Sequence, residues 1–152
     1  HMSYAFGKGS KERLLTCHED LIRVAEKALS LSHIDFSITE GERTLERQKE
    51  LFDKGRSKID GINKKGKHNH SPSLAFDFMV YVPGRKDLAF DNEHLTYIAG
   101  IIMAVGAEMF ATQKIKHELR WGGNFDRDGI ILLDQVLWDR PHIELIGVDI
   151  DG

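Results

Sequence analysis

The chain has 152 residues, 41% of them hydrophobic and 30% charged, with 21 Lys and Arg against 24 Asp and Glu for a formal charge of −3. That composition fits one soluble globular domain, residues 1–152, large enough to bury an ordinary core. It lacks the basic excess of a nucleic-acid-binding protein, its single cysteine rules out an intramolecular disulfide and a cysteine-rich zinc site, and no apolar run reaches the roughly eighteen residues of a membrane span.

His1 reads as a residue left by tag cleavage and is set aside, and no signal peptide is evident. Ser10 is predicted to cap a first helix running to about Leu31, with Leu14, Leu21, Ala25, Ala28 and Leu29 as its buried stripe. Cys17 falls inside that pattern as a small core residue. A short strand is expected from Asp35 to Thr39, with Phe36 and Ile38 inward. Thr44 then caps a second helix through Asp53, ended by Gly55 and apolar along Leu45, Gln48, Leu51 and Phe52. Residues 56–70 are rich in Lys and Gly and read as a surface loop.

From Leu74 the pattern changes to period two: Leu74, Phe76, Phe78 and Val80 alternate with Ala75, Asp77 and Met79, as in a half-buried strand. A third helix is predicted from Asn92 to Phe110, capped near Asp91. A strand follows at Glu118–Trp121, then a tight Gly122-Gly123 loop and an apolar run of undefined type over 130–136. Pro141 argues against a helix near the C-terminus, and Ile143 and Leu145 alternate with His142 and Glu144 in a last strand. The order favours an α+β domain with a small antiparallel sheet packed with helices.

Two stretches carry the chemistry. Asp77 is a carboxylate among large apolar residues, and an unpaired buried carboxylate is costly enough to demand a cation or several donors. His70 lies on the loop entering that strand, and Pro72 redirects the chain so that the loop can fold back over Asp77. His142 opens the last strand beside Glu144, with Asp139 in the turn before it. His70, Asp77 and His142 would give three N/O ligands, the arrangement of a catalytic zinc with an open fourth position, and Asp139 is the natural base for a water there. His18, His33, His94 and His117 read as surface or satisfied core histidines. His68 is left open as a loop residue, a substrate contact or a spare ligand. Asp126, Asp128 and Asp134 offer carboxylates to a further cation, although acidic loops are ordinarily just solvated.

The His70-x6-Asp77 and Asp139-x2-His142 spacings resemble the zinc-ligand and base pattern of the M15 metallopeptidases. Those enzymes are D-Ala-D-Ala carboxypeptidases and dipeptidases, and phage endolysins that cut the L-alanyl-D-glutamate bond of peptidoglycan. Pro141-His142-Ile143-Glu144, Arg120-Trp121-Gly122-Gly123, Gly41-Glu42-Arg43-Thr44 and the N-terminal Phe6-Gly7-Lys8 are most similar to the endolysin branch, so the resemblance spans nearly the whole chain. It implies a hedgehog/D-Ala-D-Ala-peptidase-like fold and a zinc ion on His70, Asp77 and His142. It makes Asp139 the catalytic base and Arg43 a residue that binds substrate and steadies the oxyanion. Trp121, Trp138 and His68 become candidate cleft residues, and Glu144 a candidate for orienting a ligand. The chain departs from the usual Ser-x-His-x-x-Gly-x-Ala-x-Asp pattern, with His68 for the serine and Ser73 for the glycine, which bears on loop shape and substrate fit.

The resemblance further implies a monomer acting on the peptidoglycan stem peptide, with no nucleic-acid partner and no membrane insertion. The protein would be held in the host cytoplasm until lysis and reach the wall through a separate holin. A D-alanyl-D-alanine carboxypeptidase and a non-catalytic peptidoglycan-binding domain are the alternative readings.

Overall fold

The computed structural model describes residues 3–57, 59–61, 65–124, 127–131 and 139–151. Helices α1 (Lys8–Leu14) and α2 (Glu19–Leu31) lead into strand β1 (Asp35–Glu40) and helix α3 (Leu45–Asp53). A 3₁₀ turn at Lys67–Asn69 precedes β2 (Ala75–Tyr81), α4 (Asn92–Ala111), β3 (Glu118–Trp121), β4 (His142–Ile146) and the four-residue α5 (Val148–Asp151). The strands form one antiparallel sheet in the order β1-β2-β4-β3. The expected α+β class with a small antiparallel sheet is the class observed.

Strand alternation divides the sheet into an apolar and a polar face. Phe36 and Ile38 of β1, Phe76, Phe78 and Val80 of β2, and Ile143 and Leu145 of β4 are buried in one core with Leu21, Val24 and Leu29 of α2 and Ile98 and Ile102 of α4. Asp77 and His142 are directly paired across β2 and β4, so both project from the other face. A register shift between Ile38 and Glu40 sets Glu40 opposite Asp77, and Arg120 of β3 faces Glu144 of β4. The polar face therefore collects charged side chains from all four strands.

The single helix predicted from Ser10 to Leu31 is two helices. Cys17 forms a bridge with Ser73, with His18 N–H donating to Ser73 O at 2.8 Å and Ser73 N–H to Thr16 O at 2.9 Å. These tertiary bonds pull the chain out of the helical path, and the His18 ring restarts it by accepting the Asp20 N–H at 3.0 Å. Ser10 lies within α1 instead of capping it, and its hydroxyl accepts the Ile38 N–H at 3.0 Å.

Helix α3 has the predicted bounds and Thr44 cap, but its apolar side is not a buried one: Leu45 and Phe52 are exposed and Gln48 is the buried residue. Gln48 is inside because its amide is bonded, donating to Ser57 Oγ at 2.8 Å and Ile59 O at 2.5 Å. The loop predicted over 56–70 is only partly a surface loop, since Gly61, His68 and Asn69 are buried. Helix α4 starts at the predicted Asp91 cap. By length and composition it could cross a membrane, although Glu93 and Glu108 interrupt its apolar run. Its Leu95, Ile98, Ala99 and Ile102 face is packed in the core beside α2 and the sheet.

Cys17 is buried as expected, and burial pushes its thiol up to about 12, reinforced by the nearby charges of Asp77 and Glu42 against a lowering hydrogen bond with Thr16. Because the thiolate is the reactive form, the folded protein should not react with a disulfide reagent at pH 8, whereas one thiol per chain should be titrated in denaturant. Labelling of the native protein at a free-thiol rate would contradict this burial.

Candidate metal and catalytic site

The site begins with the Asp77–His142 pair. Asp77 Oδ1 lies 3.1 Å from His142 Nδ1 and also 3.1 Å from His68 Nε2. His68 arrives from the 3₁₀ turn at Lys67–Asn69, and the loop behind it is closed by Leu74 N–H donating to Lys67 O at 3.0 Å. The ligand atoms of His68, Asp77 and His142 all lie within 4.8 Å of one another.

The remaining imidazole nitrogens are tied to oxygen acceptors. His68 Nδ1 sits 2.7 Å from Gly41 O, and His142 Nε2 sits 2.9 Å from Glu144 Oε1. In a neutral ring the proton can sit on the nitrogen facing Gly41 O or Glu144, which would leave the nitrogen facing Asp77 able to bind an ion. This tautomer and outer-partner pattern is the one metal-bound histidines adopt. The donor set therefore fits a divalent metal ion.

The electrostatics show a demand for positive charge beside Asp77, which a protonated imidazole or a metal ion can each meet. Burial raises the Asp77 carboxyl, but the His68 charge and the hydrogen bonds from His142 and His68 outweigh it and hold it well below the ordinary carboxylate range. Burial lowers His142, yet its bonds to Asp77 and Glu144 hold it well above an ordinary histidine. Glu144 is buried and also accepts from Arg120 Nη2 at 2.7 Å, with Lys67 Nζ 4.0 Å away.

The expected trio is thus altered in one member. His70 stands two residues beyond His68 at the end of the 3₁₀ turn, with extended backbone, and is half-exposed. Its charged surroundings are Lys65, Lys67 and Asp151, and burial with the two lysines lowers its pKa. The loop closes earlier than the His70-to-Asp77 spacing supposes, so it is His68, and not His70, that joins Asp77 and His142. Nothing in the periodicity distinguishes the two histidines; the choice is made by the path of the loop.

Arg43 lies at the edge of this cluster. Its guanidinium donates to both carboxylate oxygens of Glu40 (Nε to Oε1 2.9 Å, Nη2 to Oε2 2.6 Å) and to Gln48 Oε1 at 2.9 Å, with Nη2 3.7 Å from Asp77 Oδ2. The Glu40 and Gln48 clamp was not read from the sequence, although the Glu40/Arg43 spacing was available as a signal. Trp121, expected as a cleft contact, is buried; its indole N–H donates to Arg140 O at 2.6 Å. Trp138, Asp126 and Asp134 lie outside the described residues, and Asp128 accepts the Ile130 N–H at 2.7 Å within its own turn.

Asp139 is half-buried and held by its backbone. Its carbonyl accepts the His142 N–H at 2.9 Å, and Gly122 packs so closely that a Cβ there would overlap this carbonyl and the Asp139 Cβ. The next residue is anchored by Trp121 and by Arg140 Nη1 donating to Thr96 Oγ1 at 2.7 Å. Burial raises the Asp139 carboxyl above its ordinary value, the charges of Asp77 and Glu144 add to this, and those of His142 and His68 oppose it. A carboxyl raised in this way, and within the electrostatic reach of both histidines, can accept and return a proton.

Residues 2–146 match a family model described as phage L-alanyl-D-glutamate peptidase. The L-alanyl-D-glutamate peptidase of Escherichia phage T5 is 29% identical over 147 residues, covering 95% of this chain and 100% of that protein. The crystal structure of the Serratia marcescens L-Ala D-Glu endopeptidase ChiX superposes with a TM-score of 0.73 at 25% identity, covering 99% of this chain and 96% of that one.

Proposed function

The chain belongs to the phage L-alanyl-D-glutamate peptidase family, and on that footing we propose that it is a single-domain, monomeric zinc endopeptidase that hydrolyses the L-alanyl-D-glutamate bond of peptidoglycan stem peptides. The observation that carries the metal reading is the convergence of His68, Asp77 and His142 with their outward nitrogens already tied to oxygen. When bound, a zinc ion supplies Lewis acidity, polarising the scissile carbonyl and acidifying water.

The chain's own residues do the rest. Asp139 accepts the proton of the water that attacks the alanyl carbonyl carbon, and returns it to the D-glutamate nitrogen as the C–N bond breaks. Arg43, fixed by Glu40 and Gln48, presents positive charge at the edge of the site, where it binds substrate and steadies charge developing on the carbonyl oxygen. Glu144 orients His142, and Trp121 and Gly122 hold the Asp139 turn in place. The wall substrate lies outside the cytoplasm, so a separate membrane pore is the partner that gives access to it.

The test is mass analysis of fragments released from purified peptidoglycan, with and without a chelator. New termini at L-alanine and D-glutamate, lost on chelation and restored by zinc, are the expected result. Release of free D-alanine would move the assignment to a carboxypeptidase, and no cleavage by folded, zinc-loaded protein would leave a wall-binding domain.

A further inference from the structure

A second cluster in the molecule repeats the plan of the first. His18, Asp20 and His117 also bring one ligand atom each to within 4.8 Å of one another. The His18 and His117 rings stand edge-on with centroids 5.1 Å apart, as do His68 and His142, also at 5.1 Å. In each cluster a carboxylate serves the pair of imidazoles: Asp20 Oδ2 lies 2.8 Å from His117 Nδ1, as Asp77 lies against His142 Nδ1. In each, the far nitrogen of one ring is backed by an outer carboxylate, His117 Nε2 by Asp149 Oδ2 at 2.8 Å and His142 Nε2 by Glu144. That outer partner is the device that fixes a metal-binding histidine.

A second, independent feature points to a ligand. The Asp20 side chain is 1% exposed, and its Oδ1 is buried with no hydrogen-bond partner among the described residues. Oδ2 carries the whole of the bonding, from Lys116 N–H at 3.0 Å and from His117. An orphaned buried carboxylate oxygen is costly, and Oδ1 lies 3.9 Å from His18 Nδ1, too far for a hydrogen bond; Nδ1 accepts the Asp20 N–H, so an ion shared by the two would take the place of that N–H on the ring.

We infer that His18, Asp20 and His117 form a second divalent-metal site, taking a zinc-class ion that prefers imidazole and carboxylate ligands. Asp149 stays on His117 Nε2 as the outer partner, and solvent can supply a fourth ligand. The role we assign it is structural: the ion would pin the start of α2 to the segment before β3, and Asp149 ties that segment to the chain that follows β4. This site does not depend on the reading of the first one.

The experiment isolates it. In a His68→Ala/His142→Ala double variant the first cluster is removed, and the metal-stripped protein is titrated with Zn2+ and, for its visible spectrum, Co2+. One tight equivalent should remain, with ligand-field absorption from Co2+ and a Tm that rises with Zn2+. Adding His18→Asn should abolish all three signals while leaving the far-ultraviolet circular dichroism unchanged, because asparagine keeps a capping oxygen for Asp20 N–H. No bound equivalent in the double variant would overturn the proposal, and so would an equivalent that survives His18→Asn.

Discussion

Asp139→Ala is expected to lower turnover on peptidoglycan by roughly 100- to 10,000-fold, the usual contribution of a positioned acid–base group, with fold and metal content unchanged. Asp139 is not one of the three clustered ligands, so its loss should not release an ion. Its backbone, not its carboxylate, makes the contacts that hold the turn: the carbonyl serves His142 N–H and abuts Gly122. Its carboxyl is raised by burial, Asp77 and Glu144, closer to the working pH than a surface aspartate, which suits both halves of a proton shuttle. Asp139→Asn should fail equally while preserving shape. Rates are read from fragment release, and metal content and circular dichroism are read on the same samples. A variant with wild-type turnover would remove Asp139 from the chemistry.

The second large effect separates two neighbouring histidines. His68→Ala should lose one equivalent of bound metal and lower turnover by at least about 100-fold, since even outer partners of a metal ligand commonly contribute 10- to 100-fold. His70→Ala should retain both within about twofold, as a half-exposed residue outside the cluster. The contrast follows from position alone: His68 Nε2 is 3.1 Å from Asp77, whereas His70 has lysines and Asp151 around it. Metal analysis and turnover measured side by side decide the matter, and the reverse outcome would mean that the 67–74 loop follows another path.

The same pair shows where the sequence was readable. Asp77 and His142 could be found because each interrupts a period-two strand with a polar group, and such alternation survives folding. Strand β3 and helix α4 were legible for similar reasons, through periodicity and the Asp91 cap. The break after Leu14 was not, because the apolar stripe from Leu14 to Leu29 runs on as though the helix did; only the bridge from Cys17 to Ser73 interrupts it. Helix α3 misled in the other direction, with Leu45 and Phe52 outside and a fully bonded Gln48 inside. His18 and His117 looked ordinary because their partnership with Asp20 joins positions 97 residues apart, which no local pattern records.

The order of strands has a bearing on when activity can arise. β4 is the last strand in the chain yet lies between β2 and β3, and it brings His142 to Asp77 across a separation of 65 residues. Until it inserts, two strands have unpaired edges and the ligands cannot meet. A chain emerging from the ribosome therefore carries most of its core before it carries any hydrolytic centre, and the last strand to appear completes sheet and site in one step.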